Sequence, residues 1–165
     1  MDWLEKNIEA IRKDRRHGAT QLAANAVRVL VTLCQRAEAM DAESLARQVK
    51  ETALVLAGTR PSMAPIRNWC LVYAQRFGEL TADNISFREL KRQGVILGKE
   101  LSAQQQSFVE QQVQAARDLL HPYRSLVTLS YSSTIESILR HALPPHCRVR
   151  IAESRPLMEG RRLFS

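Results

Sequence analysis

The sequence predicts a mainly α fold: an N-terminal helical bundle followed by the opening βαβ unit of an α/β domain. Two observations carry this. From the N-terminus to Leu120, apolar residues recur with helical period between Gly and Pro breaks. After Pro122 the pattern changes to two short strand-like runs, Ser125 to Ser130 and Arg148 to Ala152, with a helical stretch from Ile135 to His141 between them. The order strand, turn, helix, strand belongs to parallel sheets, which hold ligands at the C-terminal ends of their strands. The expected division is residues 1–122 for the helical domain and 123–165 for the start of the second, incomplete domain.

Met1 to Arg16 carries Trp3, Leu4, Ile8 and Ile11 on one face, a short amphipathic helix broken by His17-Gly18. From Ala19 to Ala39 the stripe Leu22, Ala23, Ala26, Val27, Leu30, Val31 and Cys34 has many small members, so another helix can approach closely. Asp41 is placed to cap a third helix, with Leu45, Val49, Ala53, Leu54 and Leu56 inward and Gly58 at its end. A fourth starts near Ser62 or Met63, tolerates Pro65 in its first turn, and runs through Ile66, Trp69, Cys70 and Tyr73 to about Gly78. Ser86 and Glu89 form the pattern of a capping box, and the proline-free run to Leu120 reads as one long helix or two abutting ones. Gly94 and Gly98 lie on one face of it, where a neighbouring backbone is expected to come close.

A net charge of +7 is spread along helices and interleaved with Glu and Gln, and no nucleic-acid-binding signature is present, so direct nucleic-acid binding is not expected. Cys34, Cys70 and Cys147 lie far apart and read as reduced thiols of a cytoplasmic protein. No Cys or His pair stands at metal-ligand spacing, so neither a metal nor another cofactor is expected. No apolar run is long enough to span a membrane.

Three places join a helix start to cationic or hydroxyl side chains, which together favour anions. They are Arg15 to Ala19 (Arg16, His17, Gly18 and Ala19), the Thr59-Arg60-Pro61-Ser62 connector, and the Ser130 to Thr134 turn with Ser132 and Ser133. At each, ordinary capping competes with ligand binding as the explanation. The turn lacks the glycines of a dinucleotide fingerprint. Glu153 nevertheless stands about twenty residues on, where such folds place a ribose-binding carboxylate. Arg155, two residues on, is a further candidate for binding an anionic ligand, and a salt bridge from Glu153 to Arg155 or Arg161 explains Glu153 equally well. No G-x-S-x-G elbow surrounds the serines.

Glu153-Ser-Arg-Pro-Leu-Met-Glu-Gly-Arg-Arg-Leu163 resembles the Glu-Ser/Thr-Arg-Pro signature of a family joining the regulatory alpha, beta and delta subunits of translation initiation factor 2B to isomerases of methylthioribose 1-phosphate and ribose 1,5-bisphosphate. Gly58-Thr-Arg-Pro-Ser62 and Asp14-Arg-Arg-His-Gly-Ala19 resemble two further motifs of that family, in the same order. The resemblance implies a helical domain leading into a Rossmann-like one, a phosphorylated sugar or nucleotide as ligand, and a protein partner or homo-oligomer in the full-length member. It assigns ligand contacts to Gly18, Ala19 and Arg60. The first motif's arginine is His17 here, beside Arg16. Where the isomerases resemble one another in Thr-His-Cys-Asn, with a catalytic Cys, this chain has Thr128-Leu129-Ser130-Tyr131. The family's catalytic Asp lies downstream of the residues present, so the chain looks like the N-terminal portion of a longer protein. The resemblance therefore implies a non-catalytic, initiation-factor-2B-like regulatory protein, with a sugar-phosphate isomerase in a longer parent chain as the alternative.

Overall fold

The computed structural model describes residues 2–38, 41–83 and 85–164. Its helices are α1 (Trp3–Lys13), α2 (Ala19–Arg36), α3 (Ala42–Ala57), α4 (Ala64–Glu79), α5 (Phe87–Leu120) and α6 (Ser133–His141). The strands are β1 (Ser125–Leu129) and β2 (Arg148–Ala152), and 3-10 turns cover Leu80–Asp83 and Glu159–Phe164. The fold is mainly α, with a helical domain leading into the start of a Rossmann-like one. The chain forms two compact units, Met1–Gln104 and Gln105–Ser165, so α5 contributes to both.

In the first unit α1 packs on α2, and α4 packs on α2 and α3. The helix starts follow local chemistry. Asp2 caps α1 and exchanges hydrogen bonds with Glu5 in a capping box, a pattern readable as Asp-x-x-Glu but not anticipated above. The Asp41 carboxylate caps α3, accepting from Ser44 N at 2.7 Å. At α5 only the Ser86 half of the expected box forms: Glu89 N donates to Ser86 Oγ at 3.3 Å, while the Glu89 carboxylate turns to Arg92 and Gln93. Those two partners hold its pKa at about 2.

The stripes read from the sequence supply the core. Leu22, Leu30, Leu45, Leu56, Ile66, Tyr73, Phe77, Leu90 and Leu101 have almost no exposed surface. Leu54 differs from its expected inward position and is 54% exposed, while Thr52 is buried with Val49, Ala53 and Leu56. Helix period explains the exchange: Val49, Thr52, Ala53 and Leu56 follow the i, i+3, i+4, i+7 rule, and Leu54 falls off that face.

Gly94 and Gly98 of α5 are both buried, and it is side chains rather than a backbone that come close to them. A Cβ on Gly94 would meet Phe77 Cε2 at 2.6 Å and Cys34 Sγ at 2.8 Å, and one on Gly98 would meet Val31 Cγ2 at 2.1 Å. The Tyr73 hydroxyl uses the space, donating to Gly94 O at 2.8 Å with Cys34 Sγ 3.4 Å away. Tyr73 and Phe77 stack with ring centroids 5.9 Å apart.

In the second unit β1 and β2 form a two-stranded parallel sheet, with Val127 opposite Arg150 and Leu129 opposite Ala152. Burial alternates along both strands: Leu126, Thr128, Val149 and Ile151 are half-buried, and Val127, Leu129, Arg148 and Arg150 lie on the open face. Arg117 of α5 donates to His141 O at 2.8 Å, tying α5 to the end of α6.

Gly94→Ala is expected to lower stability. Overpacking costs about 1–3 kcal/mol, which outweighs the ~1 kcal/mol helix-propensity gain. Tyr73→Phe, which deletes the hydroxyl, is expected to cost about 1 kcal/mol. In urea titrations both should move the midpoint down without changing the slope, whereas an unchanged midpoint in Gly94→Ala would contradict the packing described.

Candidate functional site

In the first unit the expected anion-binding residues gather around the end of α1. The helix stops at Lys13 because Asp14 adopts extended backbone, with ψ of 129°, three residues before the Arg16 end expected from sequence. The Asp14 carboxylate then organises the turn that follows. Its Oδ1 accepts from Arg16 N and His17 N at 2.8 Å each, and its Oδ2 pairs with His17 Nδ1 at 2.8 Å. Burial pushes the Asp14 carboxyl up, but hydrogen bonds from the His17 side chain and the His17 and Arg16 amides outweigh it and leave the pKa below its ordinary value.

Gly18 is the N-cap of α2, and having no side chain it leaves the first turn, beginning at Ala19, without a side-chain cap. Arg60 reaches back from the connector after α3. Its guanidinium donates to Arg12 O at 3.3 Å and also to Asp14 O, closing the carbonyl end of α1. Arg60 is therefore joined through Asp14, 46 residues away in sequence, to the His17 turn. Thr59 beside it is buried, its hydroxyl donating to Leu56 O at 2.6 Å. Arg16 and His17 are exposed. A separate groove between α1 and α2, about 370 Å³ in volume, is lined by Trp3, Asn7, Asn25, Arg28 and Thr32 among others, and reaches this turn at Asp14.

In the second unit the chemistry collects beyond the ends of β1 and β2. Ser130 follows β1 with φ of 61°, a left-handed conformation that costs an L-residue roughly 1–2 kcal/mol. Its hydroxyl donates to Glu159 Oε2 at 2.8 Å. Ser132 is the N-cap of α6, its Oγ accepting weakly from Ile135 N at 3.5 Å, and Ser133 is the first helical residue, two positions earlier than the sequence suggested. Tyr131 donates to Glu136 at 2.9 Å and lies under the Arg162 guanidinium, 3.8 Å from ring centroid to Cζ. The Tyr131 hydrogen bond, helped by Arg140, holds the Glu136 carboxyl below its ordinary pKa, while burial and Glu136 raise that of Tyr131.

Glu153 takes both of the salt bridges proposed as alternatives to a ribose contact. Arg155 lies 3.0 Å from Oε2 and Arg161 2.8 Å from Oε1, and the two lower its pKa. Glu159, Tyr131 and Arg162 were not singled out from sequence. Glu159 and Arg162 stand inside the Glu-Ser-Arg-Pro stretch, but only the folded 3-10 turn shows that Glu159 reaches Ser130 and Arg162 reaches Tyr131. Among the described residues no group of three His, Cys, Asp or Glu side chains is disposed to hold a metal ion.

Because its folded pKa is depressed, the Asp14 contribution is complete above the unfolded carboxyl value and lost as pH falls through the folded one. The melting-temperature advantage of the wild type over Asp14→Asn should therefore be full at pH 6 and shrink as pH drops below about 4. An advantage that stays constant down to pH 3 would show that the Asp14 charge does not hold the turn.

Three solved structures with the same fold are the translation initiation factor eIF-2B of Pyrococcus horikoshii OT3 (TM-score 0.77, 20% identity, 99% of this chain and 55% of that one), a subunit of the tetrameric eIF2B-beta2-delta2 complex of C. thermophilum (0.73, 18%, 90% and 48%), and the 5-methylthioribose 1-phosphate isomerase of Pyrococcus horikoshii OT3 (0.72, 18%, 98% and 47%). The chain spans about half the length of each. No curated protein sequence matches it. The family profile described as Initiation factor 2 subunit family matches residues 15–165, from the Arg15 turn through the Glu-Ser-Arg-Pro stretch, and the chain belongs to that family.

Proposed function

We propose that this chain is an initiation-factor-2B-like regulatory protein, or a portion of one, that acts in the cytoplasm, binds a sugar phosphate or nucleotide together with a protein partner, and does not itself catalyse. The observation that carries this reading is Ser130. It stands where the isomerases of the family resemble one another in a Cys, and its hydroxyl donates to Glu159. A thiol of ordinary pKa about 8.5 yields a nucleophilic thiolate near neutrality. A serine hydroxyl does not, and a lone carboxylate is too weak a base to change that. Ligand binding is supported by the Arg60, Asp14 and His17 group at the start of α2 and by the polar turn after β1. A protein partner is supported by the tetrameric complex among the structures of similar fold.

Arg60 also closes α1, so Arg60→Ala will lower the melting temperature by itself. The informative readout is the shift that each ligand adds to each variant's own melting temperature. Nucleoside monophosphates and ribose phosphates at about 100 times Kd should stabilise the wild type by ~2.7 kcal/mol, and Arg60→Ala should lose that increment. The absence of a shift with every compound would remove the ligand from this reading.

The second reading is an aldose-ketose isomerase of ribose 1,5-bisphosphate or methylthioribose 1-phosphate in a longer parent chain. It is favoured by the retained Gly18-Ala19 and Arg60 and by an isomerase among the similar folds. Product formation by the full-length gene product, from either substrate, would establish it. No turnover with both would end it.

A further inference from the structure

The groove between α1 and α2 has no part in the ligand reading above, yet its walls carry open polar groups. Its floor is Ile11, Leu22 and Val29, already packed into the core. Asn7 stands on one wall and Asn25 on the other, both half-buried. The Asn7 amide donates to Trp3 O at 2.8 Å, and its Oδ1 has no partner among the described residues. Asn25 Oδ1 accepts from Gln21 at 3.1 Å and from Arg28 at 2.7 Å, and its Nδ2 is likewise open. The groove thus presents an acceptor from one helix and a donor from the other. Its charge is cationic. Arg28 is exposed on the α2 wall and, among the described residues, has no carboxylate paired with it. Lys6, a helical turn from both Trp3 and Ala10 at the rim of α1, has none either. Arg36 adds positive charge over the Trp3 ring, 4.9 Å from its centroid. The acidic groups nearby are engaged: Asp2 accepts from Trp3 N, Glu9 pairs with Arg12 and Lys13, and Asp14 takes His17 and two backbone amides.

We propose that this groove receives an extended acidic segment of a protein partner. Asn7 Oδ1 accepts a peptide N–H from one side, Asn25 Nδ2 donates to a peptide C=O from the other, and an Asp or Glu of the segment pairs with Arg28. An extended chain fits because its N–H and C=O groups point outward to both sides, whereas a helix has already paired its own. From Trp3 to Asp14 the groove follows roughly 16 Å of chain, the span of about five extended residues. An acidic segment is favoured over a basic one by the unpaired Arg28 and Lys6 and by the net charge of +7. The inference gives the protein partner of the proposed function a surface and a chemistry, and it rests on that part of the reading alone.

The test presents the whole chain with an array of capped heptapeptides in which apolar residues alternate with Asp, Ser or Lys. Binding of the best sequences is followed by fluorescence anisotropy and by the side-chain amide resonances of Asn7 and Asn25. Asp peptides should bind roughly tenfold more tightly than their Lys counterparts and should move both side-chain resonances. Arg28→Glu should abolish that preference, which a merely structural arginine would not do. Ala10→Trp, at an exposed position of the α1 wall, should block binding whatever the charge. The absence of binding by every peptide, an unchanged Asp-over-Lys preference in Arg28→Glu, or a peptide bound as a helix would overturn the proposal. If Arg28→Glu fails to fold, Ala10→Trp decides, and undiminished binding of the Asp peptides to it would overturn the groove. Failure of the regulatory reading is distinguishable. A full-length partner that bound Arg28→Glu as well as the wild type would remove the groove and leave that reading standing, and loss of the Arg60-dependent ligand shift would leave peptide binding unchanged.

Discussion

The Tyr73 hydroxyl is a polar group set in the middle of the helical core, and the placement of α2, α4 and α5 depends on satisfying it. A buried hydroxyl without a partner costs about 1–3 kcal/mol, so the ring must enter where a carbonyl is within reach. Gly94 O on α5 is that carbonyl, and Cys34 on α2 closes the other side. For the three to meet, α5 must come so close that no side chain fits at position 94. Burial, opposed only in part by Tyr73, raises the Cys34 thiol to about 11, and burial alone raises Cys70 to about 12. Both thiols are therefore held in their neutral form within the core.

That rigid centre gives the Arg60 connector a fixed base. Leu56 and Ile66 are fully buried on either side of the connector, so the backbone that carries Arg60 is held at both ends. The guanidinium then crosses to the last carbonyls of α1, and Asp14 continues the connection to His17. A single arginine thus links the order of the α3–α4 connector to that of the α1–α2 turn. The same interaction explains why two motifs far apart in sequence form one structural group. It also means that any ligand role of Arg60 is superimposed on a structural one.

Much of the fold was legible because helix period and capping are local. Leu22, Leu30, Leu45 and Ile66 stand where their spacing put them, and Asp41 caps where an Asp before an apolar run should. Leu54 is the exception: it is apolar, yet it lies off the face that Val49, Thr52, Ala53 and Leu56 share, so hydrophobicity alone does not predict its exposure. The parallel pairing of β1 and β2 followed from the intervening helix. The group at the strand ends was less legible. Sequence reading named Ser132, Ser133, Glu153 and Arg155, each with a capping or salt-bridge alternative; in the folded chain Ser132 caps α6 and Glu153 pairs with Arg155, while Ser133 is the first residue of the helix. It passed over Glu159, whose contact with Ser130 joins positions 29 residues apart and depends on a turn that no periodicity announces.

The open face of the two-stranded sheet bears on how these 165 residues behave in solution when no further part of the chain covers it. Val127 and Leu129 are 75% and 74% exposed, side by side on a strand with a free edge, whereas parallel sheets ordinarily have both faces covered. Such a surface favours self-association. What opposes it is charge: Arg148 and Arg150 flank the apolar pair, and the whole chain carries +7. Colloidal stability is consequently tied to ionic strength. At physiological salt the screening length is about 8 Å, comparable to the size of the patch itself, so added salt weakens the repulsion while leaving the apolar attraction in place.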